Sequence, residues 1–398
     1  MVCHCLVVDY SQSFFYNHFR GDAAQTTEVA ELARFVAVDL MQIYINFPRI
    51  TTVYGKITNF AIMKVVVDDK IPYIKGEIEQ IADQVVYMSG GGITADDVKD
   101  ADVLIVRTRT MCNRSLLEGS AVRLIVTATI GYDHIDTDYL YEAGIIWTNC
   151  PGCNASSVRQ YVHNSLLVLD MLRPGLTVGV VGVGHVGSLV AADLALAGMN
   201  VLRCDPPLEE DGAEGEFVSL ERIAAEADII TFHTPLTRDG AHPTFHLADE
   251  AFFSSLKKRP LIINSSRGEV VDNDALVRAL DEGLVCDAVV DTWEGEPKIN
   301  LELLRRAVIA TPHIAGYSAD GKANATRMSL QAVCHFAGLP FSLEVCSPEL
   351  PEELRPTSSD PAERALQLYN PMGDTERLKA SPERFEWLRG NYPLRREI

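Results

Sequence analysis

Three polar residues in the second half of the chain each follow a short apolar run of strand character. Arg267 comes after Leu261 to Asn264, Glu296 after Cys286 to Val290, and His313 after Val308 to Ala310. In an open parallel sheet the carboxyl ends of successive strands face one crevice, so residues this far apart in sequence are expected to meet there. A guanidinium, a carboxylate and an imidazole gathered in one cleft suit exchange of hydride between a 2-hydroxy acid and a nicotinamide. Arg267 can hold the acid's carboxylate through a bidentate pair and polarise the neighbouring carbonyl. His313 can take the hydroxyl proton as C2 is oxidised, or return it in the reverse direction. Glu296 can fix the imidazole tautomer and favour its protonated form. Singly, these would be a surface charge, a turn and a backbone-capping histidine. Their joint placement on three successive strand ends is what carries the reading.

A nicotinamide needs a dinucleotide site, and residues 176 to 205 have the form of one. An apolar run meets a glycine cluster, then an alanine-rich helical stretch, then a second apolar run. Gly182, Gly184 and Gly187 have the G-x-G-x-x-G spacing. The first permits a tight turn, the second lets backbone approach a pyrophosphate, and the third lets helix and strand pack closely. The helix N-terminus then faces the phosphates. Asp205 closes the second run 18 residues after Gly187, where a carboxylate can accept bonds from ribose hydroxyls and repel a 2′-phosphate. NAD is therefore expected rather than NADP. Thr234, at a further strand end, and Asp291, which ends the strand preceding Glu296, are candidate cofactor contacts. His134, His163, His233 and His246 show no comparable partner pattern and are read as structural.

The elements that must position these groups alternate regularly. At Met63 the run MKVVVDDK opens a strand and helix rhythm that continues to Thr148, which predicts a first α/β domain over 63–152. Within it, helices are expected at Ile74 to Ala82, Ala95 to Lys99 and Thr137 to Ala143. A long amphipathic helix, Ala155 to Leu172, opens the second, cofactor-binding domain over 153–317. A helix over 318–341 is expected to return to the first domain. Residues 347–362 are rich in proline, serine and acid, and the tail beyond them has helical patches but no sheet pattern. Residues 1–62 carry no motif and one plausible helix, Thr27 to Tyr44; they read as an extension foreign to a protein that begins at Met63.

Composition narrows the partners. The chain has 398 residues, 47% of them hydrophobic, and a formal net charge of −20. That charge disfavours nucleic acid and anionic lipid, which need a basic surface. No run of about 18 apolar residues occurs, and no basic segment precedes an apolar core at the N-terminus, so a cytoplasmic protein without membrane partners is expected. The nine scattered cysteines fit reduced thiols. Cys150 and Cys153 have redox or zinc spacing, but no second pair accompanies them and no metal site is expected.

The stretches VVGVGHVGS, CDPP, TFHTPLTRDG, LIINSSRGEVVDN, VVDTWEGEP and PHIAGYSADGKA give the chain from Met63 onward a close resemblance to the D-isomer-specific 2-hydroxyacid dehydrogenases. TATIGYDHID, the PGCNA turn and HIAGY followed by GKA set it apart from the phosphoglycerate, lactate and formate branches. The resemblance implies two Rossmann-like, doubly wound parallel-sheet domains with a cleft between them, plus a small C-terminal dimerisation segment, here 342–398. It implies Arg267 and Glu296 as active-site residues and His313 as proton donor. For NAD it implies Asp205, Thr234, Asp291 and Gly316; for substrate, Thr108, Thr129 and Tyr317. Cys153 becomes a turn residue. The activity implied is NAD-dependent oxidation of 4-phospho-D-erythronate to 3-hydroxy-2-oxo-4-phosphonooxybutanoate by a homodimer, in pyridoxal 5′-phosphate synthesis. Alternatives are another D-2-hydroxy acid or a dinucleotide-sensing corepressor. The first 62 residues have no counterpart in the family, and the C-terminal segment is short for it. With the carboxylate on Arg267, the substrate's distal phosphate is expected at the first domain, near Arg107, Thr108, Arg109, Thr129 and Gly131.

Overall fold

Runs such as VVV in 65–67 and LIV in 124–126 are apolar on both faces, which suits strands covered by helices on either side. A computed structural model describes residues 62–397, and in it these runs form two separate parallel sheets. The first comprises β1 (Lys64–Asp68), β2 (Gln84–Met88), β3 (Val103–Val106), β4 (Leu124–Thr127) and β5 (Ile146–Thr148), in the order β2-β1-β3-β4-β5. The second comprises β6 (Thr177–Val181), β7 (Asn200–Cys204), β8 (Ile229–Phe232), β9 (Leu261–Asn264), β10 (Asp287–Val290) and β11 (Ile309–Ala310). Its order is β11-β10-β9-β8-β6-β7. Winding reverses beside β6, and the strand-end crevice at such a reversal is where ligands bind in open α/β sheets. The expected helix Thr27 to Tyr44, and residues 1–61 as a whole, lie outside the described residues.

The glycine turn after β6 has the shape its spacing predicts. Gly182 sits at φ +85°, and a Cβ on it would lie 2.8 Å from the backbone of His233 and Thr234. A Cβ on Gly187 would collide with the carbonyl oxygen of Gly182, so only glycine lets the helix His185–Leu196 seat against the turn. Two helix expectations come out differently. In place of Ile74 to Ala82 there is a single 3-10 turn, Ile78–Gln80, because Tyr73 and Gly76 take positive φ and break the helical path. The helix from Ala155 ends at Val168, with Asp170 at φ +56° and Pro174 close behind.

After β11 the chain leaves the second sheet in the helix Ala319–Ala337, which packs against β4 of the first sheet. Thr326 Oγ1 fastens it there, donating to the Pro72 carbonyl at 2.6 Å. The tail then returns. There it finishes the core of its own chain. Leu378 and Phe385 are buried in the cluster that holds Phe232 and Trp293. The helix Pro371–Ala380 lies along edge strand β11, where the Ala310 backbone N–H donates to Thr375 Oγ1.

Arg395 is a further attachment of the tail, a buried cation only 3% exposed. It donates to the carbonyls of Ser157, Ile314 and Ala315 and to Gln160 Oε1, and its guanidinium carbon lies 3.8 Å from the Tyr369 ring centroid. No carboxylate pairs with it among the described residues. Truncation would strand several buried acceptors at once, and each unsatisfied group costs roughly 1–3 kcal/mol. Arg395→Ala is therefore expected to lower unfolding free energy by about 3 kcal/mol or more in urea titration. Arg395→Met, which keeps volume and loses the donors, should recover only a minor part.

Candidate active site

The loop Thr311 to Tyr317 would be a free excursion but for one buried carboxylate. Asp291, at the end of β10, is 1% exposed; it accepts from Thr311 Oγ1 at 2.6 Å, from the Ile314 N–H at 2.8 Å and from the Ala315 N–H at 2.9 Å. Burial pushes its carboxyl above the ordinary aspartate range, and the His313 charge and these bonds draw it back only in part. The same loop is held from three other sides. Trp293 Nε1 donates to the Thr311 carbonyl, Tyr161 donates its hydroxyl to Thr311 Oγ1, and Ser157 donates to the Ala315 carbonyl. So restrained, His313 adopts φ +56°, a conformation that costs a non-glycine residue about 1 kcal/mol or more. Its N–H recovers part of that by donating to the Asp291 and Thr311 carbonyls.

The imidazole meets Glu296. His313 Nδ1 lies 2.8 Å from Oε2 and 3.1 Å from Oε1. An ionised carboxylate only accepts, so Nδ1 must carry a hydrogen and Nε2 is left as the site of proton exchange. Burial raises the Glu296 carboxyl, but the His313 bond and charge, the Trp293 N–H and the Arg389 charge outweigh it; the net position is below the ordinary glutamate range. Glu296 is thus an anion at neutral pH.

Arg267 follows β9 on a loop locked by buried Asn264, which donates to the Arg267 carbonyl and accepts from the Ser266 N–H and hydroxyl. A Cβ on Gly268 would collide with the Trp293 carbonyl, so the loops bearing Arg267 and Glu296 touch through backbone. The guanidinium uses Nη1 on the Ser266 carbonyl, and Nη2 lies against Gly131, whose Cβ position is 3.2 Å away. It therefore faces the first sheet's loop, with no ion pair among the described residues. The structure brings Arg267, Glu296 and His313 onto contiguous loops of one crevice.

The crevice also fits a dinucleotide. Gly184 caps the helix His185–Leu196 and borders open space, leaving first-turn N–H groups for a phosphate. Each Asp205 oxygen accepts one backbone N–H, from Val183 and Leu208, and keeps a second lone-pair site for a ribose hydroxyl. Thr234 Oγ1, Ser265 Oγ and Thr292 Oγ1, at the ends of β8, β9 and β10, are buried without a partner, as donors awaiting a ligand would be. Asp291 differs from its expected cofactor role in what it visibly does: its carboxylate is committed to the loop. Gly316 packs on Asn154, whose Nδ2 donates to its carbonyl.

Among the substrate candidates, Tyr317 borders the site, its hydroxyl accepting from Arg389 Nε at 3.0 Å. Thr108 is exposed, and the Thr129 hydroxyl is turned onto the Gly131 carbonyl and Thr127. Arg107 donates to buried Asp68, and Arg109, 73% exposed, reaches Glu386 of the tail. Arg389, 3.7 Å from Glu296, was not legible beforehand: it comes from the tail, and nothing in its local sequence marks it. The four histidines read as structural have side-chain partners: Thr127 for His134, Asp193 for His163, Thr231 for His233 and Glu294 for His246. The carboxylate partners of His163 and His246 were not foreseen. Burial pushes the His233 imidazole down to about 3, so it stays neutral. Cys150 and Cys153 are buried thiols, Cys150 raised to about 12 by burial, unsuited to redox chemistry.

Residues 160–315 match the family model described as D-isomer specific 2-hydroxyacid dehydrogenase, NAD binding domain. The chain is 55% identical over 339 residues to erythronate-4-phosphate dehydrogenase of Bacteroides thetaiotaomicron, covering 84% of this chain and 97% of that protein. It is 44% identical over 348 residues to the enzyme of the same name from Porphyromonas gingivalis, covering 84% and 94%. Among solved structures it is similar to D-lactate dehydrogenase from Aquifex aeolicus complexed with NAD and lactic acid. There the TM-score is 0.56 and the identity 26%, with 69% of this chain and 95% of that one covered.

The depressed Glu296 carboxyl gives a signed pH dependence. A folded value below the unfolded one contributes stability that is complete above about pH 5 and disappears as pH falls through the folded value. Wild type should exceed Glu296→Gln by roughly 1–2 kcal/mol between pH 5.5 and 8, the size expected for one charge-assisted bond. Thermal unfolding followed across pH should show that gap closing below pH 4.

Proposed function

The chain belongs to the erythronate-4-phosphate dehydrogenase family, and from that we propose that it oxidises 4-phospho-D-erythronate to 3-hydroxy-2-oxo-4-phosphonooxybutanoate with NAD, a step of pyridoxal 5′-phosphate synthesis. The observation that carries the chemistry is the His313 imidazole, held by Glu296 through Nδ1 in the crevice that Arg267 enters. NAD, when bound, accepts the C2 hydrogen with its two electrons. Gly182, Gly184 and Gly187 with the helix N-terminus would hold its pyrophosphate, Asp205 its adenosine ribose, and Thr234 and Ser265 are free to donate along it. Arg267 binds the substrate carboxylate and sets C2 beside the imidazole. His313 Nε2 removes the C2 hydroxyl proton, and the imidazolium so formed is stabilised by Glu296, which keeps Nδ1 protonated throughout. Arg389 adds a positive charge beside Glu296, holding that carboxylate ionised.

The reading assigns 63–152 to the substrate lobe and 153–317 to the cofactor lobe of a cytoplasmic homodimer. Dimerisation through the tail is supported by the exposed Leu354 and Trp387 on it; its inner face is already occupied by its own chain. Substitutions on its exposed face leave that core intact. Leu354→Asp with Trp387→Asp should shift sedimentation from dimer to monomer while NAD binding persists. A chain beginning at Met63 is expected to keep full turnover, since the groups in this mechanism all come from residues beyond it.

The decisive assay is NAD reduction on a panel of phosphorylated and unphosphorylated hydroxy acids; absence of turnover on every acid would sink the proposal. Within it, His313→Ala should lower kcat by about 10²–10⁴ with NAD affinity little changed. Arg267→Ala should lower kcat and raise KM together. Near-wild-type kinetics in both variants would overturn the assigned roles.

A further inference from the structure

The substrate of that reaction carries two anionic ends, a carboxylate and a distal phosphate, and Arg267 accounts for one. The expectation that Arg107 and Arg109 would meet the other is weakened by their partners, since Arg107 is engaged by Asp68 and Arg109 is turned outward to Glu386. We propose that Lys322, on the first turn of the helix Ala319–Ala337, holds the distal phosphate, with Arg107 and Tyr317 beside it. This assignment rests on the reading of the substrate as a phosphorylated 2-hydroxy acid.

Lys322 is half-buried, and its Nζ lies 5.3 Å from the ring centroid of Tyr317, the residue that ends the His313 loop. Its ammonium has no hydrogen bond or ion pair among the described residues. Arg389 approaches the same ring, 5.7 Å from its centroid, and donates to its hydroxyl, so two cations share one ring. One turn along the helix, Thr326 is bonded to Pro72, which fixes this face of the helix on the first sheet's loops and sets Lys322 at the junction of the two sheets. Burial, and then the charge of Arg107, hold the Lys322 ammonium below the usual lysine range. A half-buried ammonium with no anion bonded to it is costly unless an anion arrives. A phosphate dianion is that anion, and a charge-assisted bond from lysine is the ordinary means of holding it.

The experiment compares kcat/KM for 4-phospho-D-erythronate and D-erythronate in wild type, Lys322→Met, Lys322→Gln and Lys322→Arg, with NAD binding followed by fluorescence titration to report the fold. In the Met and Gln variants the phosphorylated acid should lose about 10²-fold, mostly through KM, and erythronate less than threefold. The Arg variant should stay within tenfold of wild type. A preference for the phosphorylated acid that is undiminished in both neutral variants would overturn the role of Lys322 while leaving the proposed function intact. Equal losses on both acids would also overturn it, by placing Lys322 in folding or chemistry rather than phosphate binding. A wild type inactive on 4-phospho-D-erythronate would instead remove the functional reading on which this one rests.

Discussion

A single buried carboxylate, Asp291, sets the geometry of this site. A desolvated charge is expensive, so it must be met by donors, and those available are a hydroxyl and two backbone N–H groups of the loop beyond β11. Meeting them bends that loop back over the strand end, forces His313 into a left-handed conformation, and presents the imidazole to Glu296. Every other restraint on the loop, from Ser157, Tyr161, Trp293 and Arg395, reinforces a path that Asp291 already imposes. The orientation of the His313 imidazole is thus a folding property, present before any ligand arrives.

Charge is distributed on two scales. The chain is strongly acidic as a whole, yet Arg389 stands beside Glu296, Lys322 over the Tyr317 ring, and Arg267 on the neighbouring loop. Glu296 is spoken for by His313 and Asp68 by Arg107, so the local carboxylates do not neutralise Arg267 or Lys322. An anionic ligand is drawn by near neighbours at short range, where solvent screening is weak, while the surrounding acidic surface discourages polyanions.

The sheets were legible because parallel strands buried on both faces read as short apolar runs at regular intervals, and the site's central trio because strand ends of such a sheet must converge. The glycine turn was legible for a stronger reason: Gly187 tolerates no Cβ against Gly182, so spacing and shape are the same fact. The helix expected near Ile74 was not, since apolar spacing there continues past backbone angles at Tyr73 and Gly76 that a helix cannot contain. Arg389 and Arg395 were missed for a different reason. Their partners lie far off in the sequence, Glu296 and Tyr317 for Arg389 and Ser157 for Arg395, and no local pattern records a contact made only when the tail closes on the core.

That closure has a consequence for the order in which the enzyme comes into being. Chains emerge from the ribosome N-terminus first, and their domains fold as they appear. Both sheets can therefore form while the tail is still being made. The His313 loop nevertheless lacks its Arg395 bonds, and Glu296 its Arg389 neighbour, until translation has passed residue 395. Nascent chains would be folded but inert, and competence would come only once Arg389 and Arg395 have been added and have docked.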